Sequence, residues 1–208
     1  MGEAVHLTPQ ERIKLVQTLR NALDSIGLQK TPIVAGVGGN STRETIQLAR
    51  DAAAAGADFA LVIAPGYWAG YLKGNPAVVK RFFVDVAAGS PIPVYGTSHP
   101  APAVLCGNVG KLARIAALLD GTSFTTLAGL IDFLLPSVVV GSAGAISPLP
   151  NIAPKFSMKL WNLTQNFETK ADFKAAQKSQ GLASLAESAL LKSGVCDLSE
   201  SCFLSTVF

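Results

Sequence analysis

PIVAGVGGNSTRETIQLARDAAAAGADFALVIA, from Pro32 to Ala64, reads as a strand, a helix and a second strand. Pro32 to Val37 is a short apolar run that Gly38-Gly39-Asn40 breaks. Ser41-Thr42-Arg43-Glu44 then has the spacing of a capping box, so a helix opens at once and runs to Gly56. Phe59 to Ala64 is apolar again. Two strands joined through a helix lie parallel with a right-handed crossover, which points to an α/β barrel or a doubly wound open sheet.

The same alternation extends in both directions. Upstream, Thr8-Pro9-Gln10-Glu11 is a capping box with proline at the first helical position, and Ile13, Val16, Leu19, Leu23 and Ile26 follow at helical spacing until Gly27. Downstream, Asn75-Pro76 opens a helix with Val79, Phe82, Phe83 and Val86 on one face, and Pro91 to Tyr95 is a strand. Strand starts recur about every 30 residues, the spacing of βα units in an eight-unit barrel. Gly96 to Pro102 has neither period. Asn108 to Leu119 is then a helix, Phe124 to Ala128 a strand, Ile131 to Val140 a short helix and Ala143 to Ser147 a strand. Helices over Pro154 to Asn166 and Ala171 to Leu191 follow, and an irregular tail starts at Cys196. The expected fold is an incomplete TIM (β/α)8 barrel of about six parallel strands plus C-terminal helices, over residues 1–195, with 196–208 as tail.

Of the 208 residues, 49% are hydrophobic and 15% charged, which suits strands covered on both faces. The length admits one sizeable core and is short of the roughly 250 residues of a complete barrel. The +3 charge has no run behind it, so no nucleic-acid or membrane partner is expected. Cys106, Cys196 and Cys202 form neither an even set nor a CxxC pair. A disulfide framework and a zinc site are therefore not expected, and a reduced, cytoplasmic compartment is. Met1-Gly2 lacks the Ser or Thr that a myristoylation signal carries where His6 stands, and no leader is read. Leu127 to Ser147 is strongly apolar, yet Asp132, Pro136 and several glycines make it a poor membrane span.

Few groups stand out chemically. Gly36-Val37-Gly38-Gly39-Asn40-Ser41 imitates a dinucleotide turn, but Ser41 replaces its third glycine and Asp58 precedes its strand instead of ending it. His6 and His99 have no acid or cysteine at ligand spacing, so no metal is expected. No Gly-x-Ser-x-Gly elbow occurs. Tyr67, Trp68 and Tyr71 follow the Phe59 to Ala64 strand at its C-terminal end, where either a site role or plain aromatic packing fits. A Schiff-base enzyme needs a lysine held neutral at a strand end, whereas Lys73, Lys80, Lys111 and Lys155 all read as solvated cations.

Gly36 to Ile46, followed by Ala55-Gly56-Ala57-Asp58 and Ala64-Pro65-Gly66-Tyr67, resembles the central signature of the dihydrodipicolinate synthase and N-acetylneuraminate lyase family. Gly2-Glu3-Ala4 with Leu7-Thr8 and Glu11, Cys106 to Lys111, and Gly144-Ala145-Ile146-Ser147 with Asn151 and Pro154 are similar to further family segments in the same order. The flavour is that of fungal 4-hydroxy-2-oxoglutarate or deoxy-sugar-acid aldolases. The resemblance implies lyase chemistry on pyruvate or another small 2-oxo acid, through an imine on a strand-end lysine, without a cofactor and in a homo-oligomer.

It also implies departures. Met1 falls inside the family's threonine pair, so the first strand, first helix and second strand are expected to be missing. Thr97 stands where the motif tyrosine belongs, with Tyr95 two residues early, and Ala103 stands at the lysine position. After Val195 the chain reads Cys196-Asp197-Leu198-Ser199 in place of the family's glycine-threonine-lysine turn. An alternative transcript or a faulty gene model would produce these breaks. What carries over is Tyr67 as the relay tyrosine near a subunit interface, Ile146 as the position whose backbone contacts pyruvate, and Gly129 and Asp132 in the loop that reads the second substrate. The expectation is an aldolase-type lyase impaired by the missing lysine and tyrosine. The alternative is a non-catalytic truncated product that at most associates with full-length subunits.

Overall fold

A computed structural model of the chain describes residues 6–97, 108–119, 125–165 and 167–193. It divides into two compact units, Gly2–Pro102 and Ala103–Phe208, with Met1 grouped with the latter. The tail 196–208 and the positions of His99 and Ala103 lie outside the described residues.

In the N-terminal unit, helix α1 (Pro9–Ser25) starts as its capping box requires. The Thr8 hydroxyl accepts from the Glu11 N–H at 3.3 Å, and the Glu11 carboxylate accepts from the Thr8 N–H at 2.8 Å. Gly27, at φ +81°, supplies the left-handed turn that ends the run. Helix α2 (Thr42–Ala54) is capped by the Ser41 hydroxyl, which accepts from the Glu44 N–H at 3.2 Å. The reciprocal bond reaches one residue further back than the sequence predicts, because Glu44 accepts from the Asn40 N–H at 2.8 Å.

Three parallel strands, β1 (Val34–Gly36), β2 (Phe59–Ile63) and β3 (Val94–Thr97), lie in that order, with Gly36 opposite Leu61 and Leu61 opposite Tyr95. The third strand begins later than Pro91 and takes in Gly96 and Thr97, which sequence periodicity leaves in a loop. Alternate residues face opposite sides of the sheet. Ala35, Ala60 and Val62 face α2 and helix α4 (Pro76–Gly89), forming a core with Ile33, Val37, Ala49, Ala52, Phe82 and Val86. Small residues allow this close approach. A Cβ on Gly89 would fall 2.6 Å from Ile46 Cδ1, and one on Gly96 would fall 3.2 Å from the Phe83 ring. The opposite face carries Val34, Phe59, Leu61, Ile63 and Tyr95. There Val34 and Ile63 remain 42% and 45% exposed, and Tyr95 packs on Phe59 at a ring-centroid distance of 5.2 Å.

Asp58 is a structural anchor, which removes the nucleotide reading of this acid. Its carboxylate accepts from the Ile33 N–H at 2.7 Å and from Arg20 Nη2 at 2.6 Å, and Arg20 Nε also donates to the Gly56 carbonyl at 3.2 Å. The pair ties α1 to the entries of β1 and β2. Replacing Asp58 by alanine strands the Ile33 N–H and one end of the guanidinium, and should cost about 1–3 kcal/mol. Urea unfolding of the N-terminal unit would read this, and an unchanged midpoint would show the anchor to be dispensable.

In the C-terminal unit, helix α5 (Val109–Leu119), α6 (Leu134–Val139), α7 (Pro154–Gln165) and α8 (Lys170–Ser193) stand close to where the sequence places them, and helix α3 (Ala69–Lys73) belongs to the N-terminal unit. Phe124 lies outside the described residues; from 125 on, the expected strands ending at Ala128 and spanning Ala143 to Ser147 share one parallel bridge, between Ala128 and Ala145. The described residues thus hold three strands and a bridge, not about six strands. Glycine geometry is the local reason. Gly141 at φ +95° and Gly144 at φ +153° bend the second segment on its way into the pairing. The bridge still carries Ala128 N–H to the Gly144 carbonyl at 2.8 Å and Ile146 N–H to the Ala128 carbonyl at 2.9 Å. Leu112, Ala128 and Phe133 form one core cluster, and Ile131, Leu134, Leu149, Leu160 and Ala183 another.

Candidate functional site

Three of the four residues singled out from the sequence lie around the Ala128–Ala145 bridge. Gly129 follows the bridge directly, Asp132 lies in the single 3-10 turn Ile131–Phe133, and Ile146 follows the other side of the bridge. Ile146 is 44% exposed, and its N–H is engaged by Ala128. Tyr67 belongs to the N-terminal unit, in the 3-10 turn Gly66–Trp68 after β2, and is 82% exposed. This is the C-terminal end of a parallel strand, as expected. Thr97 ends β3 two residues beyond Tyr95. Lys80 and Lys155 are exposed on helices, and Lys111 is half-buried in α5.

The best-defined chemistry in the described C-terminal residues surrounds a group that sequence reading missed. Glu187 of α8 is fully buried. Its Oε2 accepts from the Asp132 N–H at 2.7 Å, and its Oε1 accepts a short hydrogen bond from the Ser147 hydroxyl. Gln180 and Ser184, on the same face of α8, complete the contact. Gln180 accepts from the Leu135 N–H at 2.7 Å and donates to the Ile131 carbonyl at 3.0 Å, while the Ser184 hydroxyl donates to the Asp132 carbonyl. One polar stripe of α8 therefore satisfies the backbone of the turn that carries Asp132.

The carboxyl groups are less well served. Asp132 Oδ1 is buried without a hydrogen-bond partner among the described residues. Burial pushes the Asp132 carboxyl above its ordinary range. Burial also pushes Glu187 up; the Ser147 and backbone hydrogen bonds oppose this and the charge of Asp132 adds to it. The sequence signal was faint: Gln180, Ser184 and Glu187 are spaced at i, i+4 and i+7, which equally describes a solvated helix face.

No described helix is long and apolar enough to cross a membrane. The sequence pattern of the dihydrodipicolinate synthetase family matches residues 1–101. A protein of Emericella nidulans described as a probable 4-hydroxy-2-oxoglutarate aldolase, mitochondrial, is 37% identical over 93% of this chain and 68% of its own length. The L-threo-3-deoxy-hexylosonate aldolase of Hypocrea jecorina is 34% identical over 77% of this chain and 60% of its own. Among solved structures, YagE of Escherichia coli K12, a member of the dihydrodipicolinic acid synthase family crystallised in complex with pyruvate, matches with a TM-score of 0.70. It is 28% identical, over 86% of this chain and 64% of its own. The chain spans about two thirds of the length of these relatives. With its parallel strands, its crossover helices and this agreement along almost all of its length, the chain belongs to the dihydrodipicolinate synthetase family of lyases and aldolases and carries an incomplete form of an α/β barrel.

Proposed function

We propose that the chain derives from a Schiff-base-forming pyruvate aldolase, acting on pyruvate or another small 2-oxo acid, and that its own aldol chemistry is impaired. What supports this is family membership together with the motif count back from Asn108, which puts Ala103 where the resemblance expects the imine lysine. The chemistry requires a neutral amine to attack the carbonyl carbon and expel water, and burial at a strand end is what keeps such an amine neutral. Lys80 and Lys155, exposed on helices, lack that environment. The pyruvate complex of YagE supports a 2-oxo acid as the ligand class. In this reading the family resemblance makes Gly129, Asp132 and Ile146 the remnant binding positions and Tyr67 the remnant relay group. A single partial barrel over residues 1–195 is part of the same reading.

Borohydride reduction in the presence of pyruvate tests the proposal directly. The expected result is an unmodified mass. An adduct on any lysine would overturn the claim of impairment.

A second reading, a non-catalytic product that associates with full-length subunits, is favoured by the exposure of Val34 and Ile63 on the sheet. Recovery in a complex with a tagged full-length relative would support it. The three-cysteine composition favours the cytoplasm, whereas the Emericella relative is named as mitochondrial, and cell fractionation separates the two.

A further inference from the structure

We propose that Glu187 is a positioning residue that sets the Asp132 turn and Ser147 against each other, so that ligand binding there follows the charge on the Glu187 and Asp132 pair. This rests on the reading of Gly129, Asp132 and Ile146 as ligand-binding positions. The geometry is specific: one carboxylate, fully buried, accepts from the backbone of the turn through one oxygen and from the strand-end hydroxyl through the other. Ser147 is the chain neighbour of Ile146, so one side chain on α8 holds both segments of the remnant site.

No cation compensates the pair among the described residues. The elements packed on α8 are the 131–133 turn, α6, the 149–151 turn and α7. They contribute Asp132 and, from α7, Lys155 and Lys159, which line a groove with Glu168, just before α8, and Asp172 in its first turn. The remaining charged groups of α8 itself, Lys170, Lys174, Lys178 and Lys192, make no ion pair with Glu187. A fully buried Glu187 beside a partly buried Asp132, with no cation to compensate them, resists carrying its charge.

The sign follows from the raised values. A carboxyl whose folded value lies above its unfolded one contributes stability that is fully present below the ordinary carboxyl range. That stability is lost as pH rises through the raised value. Protection of the turn should therefore fall with rising pH. Glu187→Gln keeps an acceptor for the Asp132 N–H and a partner for Ser147, yet cannot ionise.

Hydrogen exchange of the full chain, read by mass spectrometry on peptides covering 131–135 and 145–147 and corrected for intrinsic rates, tests this with pyruvate as the probe. In the unmodified chain, protection and the slowing by pyruvate should both fall several-fold as pH rises from the acid side. In E187Q, where Asp132 alone of the pair still titrates, the pH dependence of both should be clearly smaller than in the unmodified chain. A flat profile in the unmodified chain, or wild-type pH dependence in E187Q, would overturn the proposal. A merely structural glutamate would leave the pyruvate response insensitive to pH. If the pH effect on protection is present and pyruvate does nothing in either protein, the ligand reading fails and the hold of Glu187 on the turn stands.

Discussion

Residues 1–208 expressed alone should self-associate and bind a hydrophobic dye. In the N-terminal unit one face of the sheet is covered by helices, whereas on the other face Val34 and Ile63 stay about half exposed. Helix α1 adds a second apolar stripe, because Val16 and Leu23 pack on the core while Leu15, Leu19 and Ile26 are exposed at i, i+4 and i+11. Among the described residues β1 pairs only with β2, so its outer edge offers free backbone groups to another chain. Burying each such side chain would stabilise by about 1.5–3 kcal/mol, against a whole-domain stability of about 5–15 kcal/mol. Several together are comparable with the entire margin. The dye should report the sheet face, so Val34→Lys with Ile63→Lys should lower its signal and shift the protein towards monomer in sedimentation. A soluble monomer with a sharp melt and low dye binding would show that this surface is covered after all.

The second large effect is expected at Leu160. This side chain is fully buried in the C-terminal unit, where α7 meets the core formed by Ile131, Leu134, Leu149 and Ala183. Leu160→Ala removes apolar contacts and leaves a cavity, a change that costs about 2–5 kcal/mol when neighbours cannot close in. Helix α8 packs on both α7 and the 131–133 turn, which limits such closure. Denaturation followed at Trp161, which packs on the same cluster, should show the unit melting well before the unmodified protein. Leu160→Met, which conserves volume, should cost under about 1.5 kcal/mol. Equal losses in the two variants would mean that the site senses shape and not volume.

Glu187 shows why part of the site was hidden. A glutamate three residues after a serine on a mixed helix face reads as solvated, and only the docking of α8 on the 131–133 turn buries it. The reverse holds for Asp58, which a glycine-rich turn makes look functional and which the fold uses to hold Ile33 and Arg20. In both cases the role of the carboxylate is set by partners far away in the chain.

The helix starts were legible because their causes are local. The bonds between Thr8 and Glu11, the Ser41 cap on Glu44, the Pro9 and Pro76 starts and the left-handed Gly27 each depend on neighbours within a few residues. The βα alternation likewise determined the parallel order of β1, β2 and β3, since a helical crossover leaves the next strand parallel. Strand extent, by contrast, depends on pairing. Phe124 to Ala128 and Ala143 to Ser147 have strand-like composition, yet among the described residues they share one parallel bridge, Ala128 to Ala145, flanked by a bond from the Ala143 N–H to the Thr126 carbonyl, with Gly141 and Gly144 at positive φ beside it. Which apolar residues are buried was also beyond reach, because Val34 and Val62 are alike in sequence and differ only in the face each turns to the helices. Local chemistry therefore determined where elements begin and which way they run; the tertiary structure decided how far strands pair, which sheet face is covered and which carboxylate is buried, because those depend on contacts between distant residues.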